Sequence, residues 1–279
     1  MYDPRVDTTR FLAAITDADE ETRYEAIHEL VERMDDEVAR AFLDVAASDA
    51  DEEVRGDVII GLGPVIEEAG DDYFDDGGDF LPDPEYGPPI SREMYETILR
   101  EIRAIYEDDA QPKLVRRRAF EVLVRDPQPW LAPEIRKRFA SDDPEWKVTA
   151  IFGMGHVTGF DAEIAAAVQS EEGKVLYEAV RAAGRMELTA AAKRIRELAT
   201  SKATDRDLRL VAIEALPHVD RDSFDVLERL ARSNDDEIAG AAEEAMAELS
   251  LAGSLDDDYD FDEDFDDEDE EEDDEDDRR

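Results

Sequence analysis

Apolar residues recur along this chain at helical spacing, in groups that repeat about every 31 residues. From Asp205 to Val219, the residues Leu208, Val211, Ala212, Ala215, Leu216 and Val219 stand at i, i+3, i+4, i+7, i+8 and i+11, one face of an α-helix. Asp205 occupies the N-cap position, where a carboxylate accepts from unpaired N–H groups of the first turn. With Ala212 as a phase marker, the equivalent positions are Ala26, Val58, Ala119, Ala150, Ala179, Ala212 and Ala242, at steps of 32, 61, 31, 29, 33 and 30 residues. Four residues later stand Leu30, Leu62, Leu123, Met154, Ala183, Leu216 and Met246, all apolar. Four residues earlier stand Thr22, Val54, Val115, Trp146, Val175, Leu208 and Ile238, apolar after the first. An in-phase period of this length marks stacked supersecondary units.

Each marked helix follows another apolar-periodic segment: Arg10 to Ile15, Val38 to Ala47, Met94 to Tyr106, Leu131 to Phe139, Ala162 to Val168, Ala191 to Ala199 and Phe224 to Ala231. Every unit therefore predicts a helix pair. Short acidic turns separate the two members, as in SDADEE before Val54 and SNDDE before Ile238. Pro144 after Asp143 is the cap-then-proline start that pre-sets the first helical φ. No segment alternates apolar and polar residues for long, so no strand is expected.

The 61-residue step holds an insertion between residues 70 and 89, rich in acids, glycine and proline, which cannot continue a helix. It is expected as an exposed loop, with Tyr73 and Phe74 as candidate partner contacts. Aligning Asp72 with the first ligand of a calcium loop places Asp76 and Gly77 correctly. Phe74 takes the third position and Asp83 replaces the closing glutamate, so no EF-hand is expected. After Ala252 the periodicity stops, and residues 253–279 read as a disordered acidic tail in which Tyr259, Phe261 and Phe265 are further candidate contacts.

These units resemble HEAT repeats, in particular the short repeats of the phycobilisome-lyase-like proteins, whose motif is an acidic turn followed by V-R-x-x-A-x-x-A-L-G. Here the basic slot reads Arg23, Arg55, Arg116, Lys147, Leu176, Arg209 and Ala239, and the glycine slot is kept by Gly63, Gly155 and Gly184. The resemblance implies a right-handed α-solenoid of about seven helix pairs over residues 1–252, with each slot arginine bonded to acids of the nearby turns. It also implies a surface for protein binding more than a particular chemistry.

Composition narrows the function. The 279 residues carry 32 Lys and Arg against 78 Asp and Glu, a net charge of −46. Residues 256–279 contribute −17 of this, which leaves −29 on the body. Such a surface repels polyphosphate, so nucleic-acid binding is not expected. Salt adaptation in a halophile and attraction of a cationic partner both account for the acidity, and its spread over every unit favours the first. There is no cysteine and no long apolar run, so a cytoplasmic chain without a membrane span is expected.

No catalytic, metal-binding or cofactor-binding set can be assembled. Acid pairs abound, but they fall mostly in turns and on exposed faces, where burial cannot raise a carboxyl pKa. His28 and Glu29 form one His-Glu pair; the HEAT-like deoxyhypusine hydroxylase binds iron through several, so that enzyme is not expected. Gly61 with Gly63 and Gly153 with Gly155 lie in or at the ends of helices and read as close-packing positions, not phosphate loops. The anomaly is local charge: residues 92–138 hold 11 bases against nine acids, and residues 174–196 hold six against two. Arg116, Arg117, Arg118, Arg136, Lys137, Arg138, Arg181, Arg185 and Arg194 are the candidate partner-binding bases, either paired with nearby acids or aligned as a groove for an acidic peptide, the chain's own tail included. The expected function is a non-enzymatic scaffold or adaptor for another protein. A chaperone or assembly factor acting on a basic partner through the tail, and a lyase-like repeat protein, are the alternatives.

Overall fold

The computed structural model describes residues 4–17, 19–49, 51–68 and 89–258. Among the described residues every regular element is helical, and the helices alternate as predicted. The first members of the pairs are α1 (Pro4–Ala14), α3 (Asp36–Ser48), α6 (Arg92–Glu107), α8 (Leu131–Phe139), α10 (Asp161–Ser170), α12 (Ala192–Thr200, entered through a 3-10 turn at Thr189–Ala191) and α14 (Phe224–Leu230). The second members are α2 (Glu20–Val31), α4 (Glu52–Gly61), α7 (Lys113–Leu123), α9 (Pro144–Met154), α11 (Gly173–Arg185), α13 (Arg206–Val219) and α15 (Asp236–Asp258). A short helix α5 (Gly63–Glu68) follows α4, and α15 runs past residue 252, where the repeat pattern ends.

Stacking is continuous through the second members. Helix α2 packs on α4, α4 on α7, α7 on α9, α9 on α11, α11 on α13 and α13 on α15. The 61-residue step therefore leaves the stack intact, because α4 and α7 meet directly across it. The result is an all-α solenoid whose one hydrophobic cluster runs from Ile15 to Ala245. All seven phase-marker residues are buried, as are six of the seven that follow by four; Met246 is only partly covered. Side-chain caps fall at the expected turns: Asp19, Asp51, Asp143, Asp205 and Asp235 each accept from a backbone N–H one or two residues into the following helix.

The glycine slot serves close approach. A Cβ at Gly155 would stand 3.2 Å from Ala182 Cα, and one at Gly184 would stand 3.1 Å from Ala215 Cβ, so successive second helices meet backbone to backbone there. At Gly61 the limit is tighter, with Phe42 2.7 Å from where a Cβ would lie.

The slot arginines differ from expectation in an informative way. Their main acceptors are backbone carbonyls, in the last turn of the preceding first helix for Arg55, Arg116 and Arg209 and in the turn after α1 for Arg23, not acids. Arg23 donates to Asp17 O at 2.9 Å, Arg55 to Ala46 O at 2.6 Å, Arg116 to Tyr106 O at 2.9 Å and Arg209 to Ala199 O at 2.8 Å. A helix C-terminus leaves carbonyls without intrahelical partners and carries the negative end of the dipole, so a guanidinium placed there satisfies both. Acids join second, as when Arg116 also pairs with Asp109 at 2.7 Å. Leu176 takes the slot in α11 as a buried apolar residue.

Candidate functional site

The bases singled out from the sequence do not share one face. Arg136, Lys137 and Arg138 lie on α8 and Arg194 on α12, in the layer of first helices, whereas Arg116, Arg117, Arg118, Arg181 and Arg185 belong to α7 and α11. Each is matched with an acid. Arg136 reaches Glu163 at 3.4 Å, Lys137 and Arg138 share Glu134 at 3.0 and 2.9 Å, and Arg194 meets Glu197 at 3.4 Å. Arg138 also bonds the Tyr106 hydroxyl and lies over the Trp146 ring at 4.0 Å, which makes it part of an aromatic cluster with Tyr106 and Phe120. Arg117 donates to Thr149 Oγ1 at 2.9 Å and Arg118 pairs with Glu121 at 2.8 Å. Tyr73, Phe74, Tyr259, Phe261 and Phe265 lie outside the described residues.

Among the described residues, bases toward the C-terminal ends of the second helices converge from different units. Each second helix is followed by a returning first helix, so the second helices run in one direction and their C-termini share an edge. Glu67 on α5 accepts from Arg125, just past α7, and from both terminal nitrogens of Arg185 at 3.1 and 2.8 Å, a link across 118 residues of sequence. Gly63 gives Arg125 its path, since a Cβ there would stand 2.8 Å from Arg125 Nε. His156, just past α9, has Nδ1 2.9 Å from Phe152 O and Nε2 3.1 Å from an Arg185 nitrogen. A carbonyl requires a donor and a guanidinium requires an acceptor, so the imidazole is the neutral Nδ1–H tautomer.

Burial drives the His156 pKa down to about 4, and Arg185 and Arg125 push it the same way against Phe152 O and Glu67. The unfolded chain thus takes up this proton first as the pH falls. The stability His156 contributes is full above its ordinary pKa near 6.5 and is lost as the pH falls from there toward 4. Urea denaturation at pH 7 and pH 4.5 should show the native chain losing on the order of 2 kcal/mol more than a His156→Gln variant. Equal losses in the two proteins would show that His156 is not held neutral.

A cavity of about 140 Å³ opens beside this cluster, lined by Arg125, Phe152, His156, Glu178, Arg181 and Arg185. Here the reading of the acids as turn and surface residues needs correction: Glu121 and Glu178 are buried. Glu121 accepts from Thr149 Oγ1 at 2.8 Å and from Arg118, which offsets its burial. Among the described residues Glu178 has only Arg181, at 3.7 Å. Burial raises its carboxyl above the usual range, Arg181 opposing and Glu121 adding to the rise. The signal was in the register, because Glu178 immediately precedes the phase marker Ala179 and Glu121 follows Ala119 by two.

Glu178 also borders a second and larger opening. Between the N-terminal halves of α11 and α13 lies a groove of about 720 Å³, with a floor of Val148, Tyr177, Leu208, Leu210 and Val211. Its polar rim is Glu178, Asp205, Asp207 and Glu214 against the single base Lys174.

Stacked helix pairs with in-phase cores and an arginine at the start of the second helix decide the architecture. The fold is a HEAT-like helical repeat. Solved structures similar to this repeat chain include YibA of E. coli, 16% identical with a TM-score of 0.47, covering 93% of this chain and 90% of that one. They also include human deoxyhypusine hydroxylase in complex with glycerol, 12% identical with a TM-score of 0.37, covering 88% and 96%. No family model and no curated protein matches the chain. Because one of these structures is a hydroxylase, the expectation that the repeat chain is not an enzyme is withdrawn. His28 stands 3.7 Å from Glu32 on the exposed side of α2, and no cluster of three or more metal-ligating side chains is found among the described residues. No described helix is long and apolar enough to cross a membrane.

Proposed function

We propose that this repeat chain binds another protein by seating an apolar side chain, flanked by basic residues, in the groove between α11 and α13. The observation that carries the reading is the groove itself, an apolar floor inside an acidic rim. At about 720 Å³ it falls in the ~300–1,000 Å³ range of sites that enclose a ligand. Four acids against one base favour a cationic partner by charge complementarity, and the net charge of −46 draws such a partner from a distance.

Peptide display against the full-length chain tests this. Enriched sequences should carry Leu, Ile or Phe next to Lys or Arg, and should bind at least ~10-fold more weakly to Tyr177→Lys, which places a cation on the groove floor. Enrichment of acidic peptides, or affinity unchanged in that variant, would overturn the reading.

A further inference from the structure

We infer that the cavity edged by Arg125, Arg181 and Arg185 is a binding site for a carboxylate, distinct from the groove nearer the start of α11, with which it shares only Glu178. Three guanidiniums from two units converge on about 140 Å³. Glu178 is the one carboxylate of that lining, Glu67 bonds Arg125 and Arg185 from beside it, and Glu214 shares an adjoining opening with Arg181 and Arg185. His156 adds no charge, since both its ring nitrogens are engaged and it is neutral.

Acceptors are in short supply in the same place. A guanidinium offers five N–H donors. Arg125 bonds Glu67, and its buried Nε faces Gly63. Arg181 is about half exposed and, among the described residues, has only Glu178, at 3.7 Å. Glu67 already shows what chemistry the cluster takes, because its two oxygens bridge Arg125 and Arg185 from a helix far away in sequence. A planar carboxylate matches the bidentate fork of a guanidinium, as Glu67 does between Arg125 and Arg185. A phosphate would bring up to two charges against Glu67 and Glu178. The Phe152 ring, with Arg125 5.6 Å from its centroid, supplies an apolar wall for the carbon behind the carboxylate.

Two sources of that carboxylate are open to the site. One is the acidic run 259–279, which continues from Asp258 with 16 acids. Helix α15 stacks on α13 and α13 on α11, so the run starts two helix spacings from α11, about 20 Å. Its 21 residues span far more than that when extended, at roughly 3.3 Å each. The other source is a carboxylate on a separate molecule.

The test follows the arginine Nε–H resonances of the full-length chain by NMR as sodium acetate replaces sodium chloride at constant ionic strength. Saturable acetate shifts at Arg181 and Arg185 are expected in the native chain or, if the acidic run fills the site, after Asp260, Asp262 and Asp264→Asn with Glu263→Gln. The Arg185 shift should weaken at least about tenfold in Arg181→Ala. Glu67→Gln, which removes the internal carboxylate, should tighten acetate binding several-fold. Tighter binding in the 260–264 variant assigns the acidic run as occupant, and unchanged binding assigns a separate molecule. Absence of a saturable acetate response in both the native chain and that variant, or equal shifts with chloride, overturns the site. None of these outcomes depends on the groove, whose floor residues are untouched.

Discussion

Replacing Ala212 by glutamate loosens the units on both sides of it, not its own alone. Ala212 is fully buried at the middle of α13, which packs on α12 within its pair and on α11 and α15 along the stack. A carboxylate there would be buried within the hydrophobic core, where Ala212 is fully covered. Burying an unpaired charge together with overpacking costs about 4 kcal/mol or more. In a stack where each unit touches only its neighbours, that cost appears as faster hydrogen exchange in α11, α13 and α15, with α2 and α4 little changed. Exchange raised in α13 alone would mean that the units do not support one another. Lys202→Glu, an exposed change in the same unit, should stay within about 0.5 kcal/mol of the native chain.

Arg55→Met should be the most costly change among the slot arginines. Arg55 is buried and donates to Ala46 O at 2.6 Å and to Gln111 Oε1 at 2.5 Å, so it ties the end of α3 to the turn before α7. Methionine fills the space but leaves the carbonyl at the negative end of α3 and the Gln111 amide without a donor. The expected loss is about 2–4 kcal/mol by chemical denaturation, against about 1 kcal/mol or less for Arg100→Met on the exposed side of α6. Equal losses would reduce the arginine ladder to a surface feature. Because Gln111 lies beyond the insertion, this bond also joins the two sides of the 61-residue step.

The fold was legible because its signals are local. A small residue, alanine in six units and Val58 in the other, marks where second helices touch, and an aspartate immediately before five of the seven second helices marks their start. The glycine slot was equally readable, since only the absence of a Cβ lets α9 and α11 approach at Gly155 and Ala182. The ladder was half legible. An arginine beside an acidic turn looks the same in sequence whether it bonds the acid or the carbonyl behind it, and the structure assigns the carbonyl.

The candidate site was largely hidden. Glu67 meets Arg185 across 118 residues, a pairing that depends on how far α5 reaches over the stack and that no period records. Glu178 was hidden for another reason: its ion-pair partner Arg181 is local, but acids are so common in this chain that a buried one stands out only when its register beside Ala179 is read. Charge balance over segments singled out α7, α8, α11 and α12 alike. It could not separate α8, whose bases are engaged by Glu134, Glu163 and Tyr106, from α11, whose Arg181 and Arg185 edge a cavity.

The central claim is that the acid-rimmed groove between α11 and α13 receives a basic segment with an apolar tip. Methyl NMR of the full-length chain, titrated with a synthetic peptide of one leucine flanked by lysines and arginines, tests it most directly. The account predicts saturable shifts at the methyls of Val148, Leu208, Leu210 and Val211, which vanish in Tyr177→Lys. Saturable shifts confined to other methyls, or none at these four at any peptide concentration, would contradict it.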